Sequence, residues 1–303
     1  MQFSQNYKFL EVLSYYHFTT LKKQSIMNSS NKLNEVDIMK TIKKVIAVVL
    51  AILTVCFAFT ACSGKKANDS NKTDSEKIIE SGKLVVGITE FAPMDYKDEN
   101  GNWIGFDADF ANMVAEKLGV KAEFQIIDWD NKFLELKTGS IDCVWNGMTI
   151  TDEVKNNSSV TDAYAMNQQV VVTKSELAGK IKSVDDLKNL SFAAENGSAG
   201  ASAAEDNGLN VTAVSTQADA LLEVASGSSD ACIIDSTMAK AMTGEGTDYS
   251  DLKVALVLLD EQYGISFRKD SDMTEKLNEI IAEYKADGTL QKLSEKYGIQ
   301  LAE

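Results

Sequence analysis

Histidine, paired cysteine and positive charge are scarce in this chain of 303 residues, and each scarcity removes a class of function. The single His is His17, in the first 38 residues. Beyond it there is no imidazole, so neither a His-based nucleophilic triad nor the commonest metal ligand is available there. The four Cys are Cys56, Cys62, Cys143 and Cys232, and no two are spaced as CxxC. That removes the zinc and dithiol redox signatures. Cys143 and Cys232 stand in apolar runs, Cys-Val-Trp and Cys-Ile-Ile, and read as buried structural thiols. The net charge is −15, and residues 1–62 hold seven Lys against three acids, so the remainder is more acidic still. A surface of that sign excludes nucleic acid as a partner and keeps the domain off an anionic bilayer. What remains is 44% hydrophobic and 25% charged, a composition that can bury a core.

One long apolar run exists, Val45–Phe59, preceded by Lys40, Lys43 and Lys44. A charged segment followed by an apolar one is the layout of a secretory signal. Phe59-Thr60-Ala61-Cys62 then resembles a bacterial lipobox, with Phe59 where Leu is preferred. The expectation is a lipoprotein signal peptide over 39–61, a lipid (palmitate-type) anchor on Cys62, and a polar flexible tether over 62–75. Met39 is the expected translation start, with 1–38 a mis-assigned upstream extension.

From residue 83 onward the pattern alternates. Lys83–Ile88 is a β-branched apolar run, followed by a loop with the only proline, Pro93. Asp107 is expected to open a helix with Phe110, Met113, Val114 and Leu118 on its apolar face, closed by Gly119. Strands are expected at 122–127 and 141–145, with a short helix ending at Gly139 between them. This order predicts an α/β sheet of mainly parallel strands. Residues 134–147 are echoed by 222–235 at a constant offset: Leu134 with Leu222, Gly139 with Gly227, Asp142 with Asp230. Two such units suggest two similar lobes. Gly147 and Asp235 share a frame position beyond the carboxyl ends of their strands, where open α/β sheets bind ligands.

GITEFAPMDY (87–96), GNWIGFDADFANMVAEKLG (101–119), GSIDCVWNGMTITDE (139–153), AENGS (194–198) and ADGTLQKLSEKYG (286–298) occur in this order. Together they resemble the polar-amino-acid solute-binding proteins of ABC importers, over about 75–303. The resemblance implies a type II periplasmic-binding fold: two α/β lobes joined by two crossing strands, with the ligand cleft between them. Lobe 1 would be 76–171 plus 264–303 and lobe 2 175–260, crossing near 170–174 and 262–266. It implies a monomeric, lipid-anchored receptor on the outer face of the cytoplasmic membrane, working with ABC permease and ATPase subunits. No cofactor, metal or enzymatic activity is implied.

Roles carried over by the resemblance fall on ten residues. Gly147 and Thr149 resemble groups that hold the ligand's α-ammonium and α-carboxylate, with Asn146 and Met148 beside them. Asp235 resembles the carboxylate that grips the ammonium. Ser198 and Ala199 resemble a carboxylate-binding turn at a helix start. Phe91 and Trp129 resemble the aromatic walls, and Glu90 stands near the specificity position. One departure matters: the family's T-x-E-R reads Thr151-Asp152-Glu153-Val154 here. Val154 replaces the Arg that clamps the ligand carboxylate, and the only Arg of the chain is Arg268. Lys155 stands next door, but a Lys does not reproduce that bidentate fork. The ligand is thus expected to be an amino acid or a related small zwitterion or amine. The alternatives are a dehydratase-like enzyme on the same scaffold and an extracellular sensor module.

Overall fold

The computed structural model describes residues 72–303. The expected signal, Cys62 and the upstream extension lie outside the described residues. Asp74 and Ser75, expected within the tether, stand in helix α1 (Asp74–Ser81), which Thr73 caps in a reciprocal capping box with Glu76. Ser75 in that helix is buried and its backbone N–H donates to Asp272 at 3.0 Å.

The elements then run β1 (Lys83–Ile88), β2 (Tyr96–Lys97), β3 (Trp103–Ile104), α2 (Phe106–Lys117), β4 (Lys121–Ile126), a 3-10 turn (Trp129–Asn131), α3 (Lys132–Thr138), β5 (Cys143–Thr149), α4 (Asp152–Asn157) and β6 (Ser159–Val160). The second half holds β7 (Ala165–Lys174), α5 (Ser175–Ala178), a 3-10 turn (Val184–Leu187), β8 (Ser191–Glu195), α6 (Ala199–Asp206), β9 (Asn210–Val214), α7 (Gln217–Ser226), β10 (Ala231–Asp235) and α8 (Ser236–Met242). The chain returns through β11 (Leu252–Phe267), α9 (Met273–Ala286) and α10 (Thr289–Tyr297).

The sheet order is β4-β1-β5-β11-β7-β10-β8-β9, with β6 also on β11. The expectation of mainly parallel strands holds only toward the two ends: β4, β1 and β5 are parallel, as are β10, β8 and β9. In the centre β7 and β11 run antiparallel to each other and to their outer neighbours. The reason is connectivity. Two strands that each carry the chain once between the halves, in opposite senses, must pair antiparallel. In β11 the partner changes from β7 to β5 at Tyr263/Gly264, inside the expected crossing at 262–266. Residues 169–173 of β7, overlapping the other expected crossing, are paired with β10.

The sequence echo is a structural repeat. Gly139 and Gly227 end α3 and α7 in the same left-handed conformation, at φ 78 ψ 19 and φ 83 ψ 16. Glycine alone reaches that region without a Cβ penalty. Asp142 then accepts a hydrogen bond from Val85 N at 2.9 Å, and Asp230 accepts one from Ser191 N at 2.8 Å. Each acid ties the start of its own strand to the neighbouring parallel strand, β5 to β1 and β10 to β8.

The first half's core centres on Phe106, Phe110, Trp145 and Tyr164, all fully buried. Phe110 meets Trp145 edge-on with ring centroids 4.9 Å apart. Cys143 and Cys232 are buried free thiols, as their apolar runs imply. Arg268 braces the first half: it donates to Asp74 at 3.0 Å, to the Ile141 carbonyl at 2.7 Å and to Asp142 at 3.3 Å. The chain's one guanidinium is thereby committed to structure.

Candidate functional site

Strands β5 and β10 end facing one small cavity. Its lining is Trp129, Asn146, Gly147 and Thr149 from the first half, Gln169 from β7, and Glu195, Ser198, Ala199, Gln217 and Asp235 from the second. It encloses about 20 Å³, room for about one water. An amino acid is several times larger than this space. Seven of the ten residues expected at the site are therefore brought together.

The other three are not. Glu90 is solvent-exposed. Phe91 is 2% exposed: its N–H donates to the Asp95 carbonyl at 2.7 Å, and its ring lies against Gly147, behind the cavity lining rather than in it. Met148 alternates to the opposite face of β5 from Gly147 and is buried in an apolar cluster with Ile127, Leu136 and Val144. Val154 lies in that same cluster, 4% exposed. Lys155 is exposed on the surface and supplies no substitute.

On the first side, Asn146 accepts from Thr89 N at 3.0 Å and donates to Asp95 at 2.7 Å. Asp107, expected only as a helix opener, reaches across to accept from Gly147 N at 2.7 Å and from Tyr164 Oη at 2.8 Å. This is what the GFDADF segment does: its buried acid holds the β5 end in place. Burial pushes the Asp107 carboxyl up to about 7, against the pull of those donors. Trp129 sits in the 3-10 turn capped by Asp128. Lys132 covers the Trp129 ring at 5.1 Å and donates to the Gly197 carbonyl of the other half at 2.9 Å. Its ammonium is buried, which lowers its pKa, while Glu153, Asp130 and Glu195 pull it back up.

On the second side, Ser198 caps α6 by accepting from Ala201 N at 3.0 Å. The first N–H groups of that helix have no intrahelical acceptor, as at any helix start. Asp235 is buried and surrounded by donors: Asn167 and Gln217, Tyr263 Oη at 2.6 Å and Gln169 Nε2 at 3.2 Å. Three of these bonds converge on Oδ1 and only that of Gln217 is on Oδ2, so a carboxylate with about four acceptor sites keeps capacity on Oδ2. Asn167 and Gln169 also donate to Glu261, which places a second acid beside the first.

Three carboxyls thus crowd this wall. Burial, then the charge of Asp235, pushes Glu195 up to about 8 and Glu261 up to about 8. The sign of the linkage follows. An unfolded Glu releases its proton near its ordinary 4.5, whereas the folded protein keeps these protons to about 8. The stability they contribute is complete below about 4.5 and is lost as the pH rises to about 8. Each group shifts stability by on the order of 1 kcal/mol per pH unit inside that window. The ligand-free protein is expected to melt lower at pH 8 than at pH 5, with a flatter profile in Glu195→Gln and in Glu261→Gln. A melting temperature that rises across this range contradicts the buried-carboxyl assignment.

The residues that sequence reasoning missed are Glu195, Gln169 and Gln217 in the lining, and Asn167, Glu261 and Tyr263 behind it. Glu195 was legible in part, since it stands in the AENGS segment. The two Gln and Asn167 carried no local signal, because their role depends on β7 and α7 lying against β10.

A fold of two α/β halves with a polar cleft at their strand ends defines a class of ligand-binding protein. Residues 84–300 match the model of the bacterial extracellular solute-binding proteins, family 3, and the chain belongs to that family. It is 35% identical over 271 residues to the probable amino-acid-binding protein YxeM of Bacillus subtilis, spanning 86% of this chain and 96% of that one. It is 30% identical to the arginine-binding extracellular protein ArtP of the same organism, over 82% of this chain and 95% of that one. Among solved structures it resembles the ancestral amino acid-binding protein AncCDT-1, described as a precursor of cyclohexadienyl dehydratase. The TM-score is 0.68 at 34% identity, covering 74% of this chain and 98% of that one.

Proposed function

We propose that this protein is the extracellular receptor of an amino-acid ABC importer. It binds an amino acid or a related small zwitterion or amine between its halves and closes on it about β7 and β11. One observation carries this reading: a single cavity is lined from both halves, with Gly147 and Thr149 on one side and Ser198 and Asp235 on the other. A ligand touching both halves stabilises only the closed arrangement, and that differential contact drives closure. In this reading Asp235 takes the ammonium, while Thr149, Ser198 and the α6 N–H groups take what carboxylate there is. The relatives YxeM and ArtP support the ligand class. A closed receptor then presents both halves at once to the ABC permease, which works with its ATPase. Residues 39–61 are proposed as the signal peptide and Cys62 as the lipid-bearing residue of a monomeric, membrane-anchored receptor. Metabolic labelling with a fatty acid should be lost in Cys62→Ser.

Calorimetric titration of the purified protein with amino acids and amines tests the receptor reading. It predicts binding of one ligand per chain, and ligand at 100 times its Kd adds about 2.7 kcal/mol of stability. Absence of binding across the panel removes the reading. An enzymatic alternative is favoured by one observation: a carboxyl that keeps its proton to about 8, Glu195, lines the cavity and has the properties of a general acid. Turnover of any bound ligand would establish that alternative, and unchanged recovery of the ligand would exclude it.

A further inference from the structure

Glu195 ends β8 inside the cavity, 3% exposed, and its Oε1 has no hydrogen-bond partner. Asp235 nearby has four side-chain donors. A buried acceptor left without a donor is unfavourable, and a buried carboxylate left without a cation is more so. The charged groups facing Glu195 are Asp235 on β10, Asp219 on α7, Asp128 before the 3-10 turn, and Lys132 on α3. Only Lys132 is of opposite sign, and its ammonium already donates to the carbonyls of Trp129 and Gly197. No Arg or Lys lines the cavity, and Val154 adds none.

The wall therefore offers two carboxyl groups and no cation of its own, Lys132 behind it being engaged with those carbonyls. A ligand with one ammonium and one carboxylate can pair with Asp235 but leaves Glu195 unpaired. A ligand with a second positive group pairs both acids. Building on the receptor reading, we infer that Glu195 is a specificity-determining residue that accepts a second cationic group of the ligand. The ligand class is then a basic amino acid, or a diamine or guanidino-amine lacking the carboxylate.

The discriminating pair is L-arginine and L-citrulline, which share a shape and differ in side-chain charge; agmatine adds the case without a carboxylate. Wild type should bind L-arginine at least about thirtyfold more tightly than L-citrulline, the scale for leaving one partner of a buried charge pair unmatched. Glu195→Gln keeps the side-chain shape and should lose most of that preference, chiefly through weaker L-arginine binding. Burial holds the Glu195 proton to about 8, so binding L-arginine at pH 7 should release a proton. That release, read as a dependence of the heat on buffer ionisation, should be absent in Glu195→Gln. Equal affinities for the pair in wild type, or equal loss of both in Glu195→Gln, overturns the role of Glu195 and leaves the receptor reading standing. Failure of all amino acids and amines to bind wild type overturns both.

Discussion

Asp235→Asn is expected to weaken ligand binding by about 2–4 kcal/mol, the scale for removing one partner of a desolvated charge pair. The substitution keeps the shape but presents two N–H groups where Asn167, Gln169, Gln217 and Tyr263 all donate. At least one donor must then face another donor. An unmade buried hydrogen bond costs about 1–3 kcal/mol, so the melting temperature should fall as well. The two effects separate when Kd is measured well below the melting transition, where the variant is fully folded. Full affinity in folded Asp235→Asn would remove Asp235 from the ligand's environment.

Gly147→Ala should be worse for the fold. Gly147 adopts φ 59, and a Cβ built there would stand 2.5 Å from Phe91 Cε1 and 3.2 Å from the Tyr263 ring. A left-handed Ala costs roughly 1–2 kcal/mol, and overpacking a closed core roughly 1–3 more. Both rings are buried, and Tyr263 Oη is held by Asp235, so neither can swing aside freely. The expected result is a destabilisation of about 2–5 kcal/mol by denaturant titration, accompanied by loss of binding. A companion Phe91→Leu should recover part of the stability by opening space. A Gly147→Ala variant that melts like wild type would show that the β5 end is not held as tightly as these contacts imply.

Much of the architecture was legible because it is local. The helix–glycine–acid–strand echo at 134–147 and 222–235 announced two similar halves, and both glycines and both acids do the same work in each. The strand ends at Gly147 and Asp235, and the turn at Ser198, followed from the same frame. The antiparallel centre was not legible, because pairing between β7 and β11 joins residues about ninety positions apart and leaves no local period. The site failed where side-chain direction mattered. Phe91 has the chemistry of a pocket wall, and its ring stands one layer behind the lining, against Gly147. Asp235 was recognisable as an acid at a strand end, whereas the amides around it come from β7 and α7, whose placement is a tertiary fact. Val154 was the informative departure: it marks a missing guanidinium in the sequence, and the structure places Val154 in an apolar cluster while Glu195 lines the cavity.

Closure of the halves around a bound solute is tested most directly by a distance across the cleft. Leu134 on α3 and Leu222 on α7 are exposed counterparts in the repeat, at 58% and 57% exposure, and tolerate Cys and a fluorophore pair. Cys143 and Cys232 are buried, and Cys56→Ser with Cys62→Ser removes the remaining thiols. Adding a basic amino acid should change energy transfer between the labels, saturating at the concentration where the heat of binding saturates, with both signals lost in Asp235→Asn. Binding heat with no change in distance, or a change that persists in folded Asp235→Asn, would contradict a receptor that closes on its ligand at this cleft.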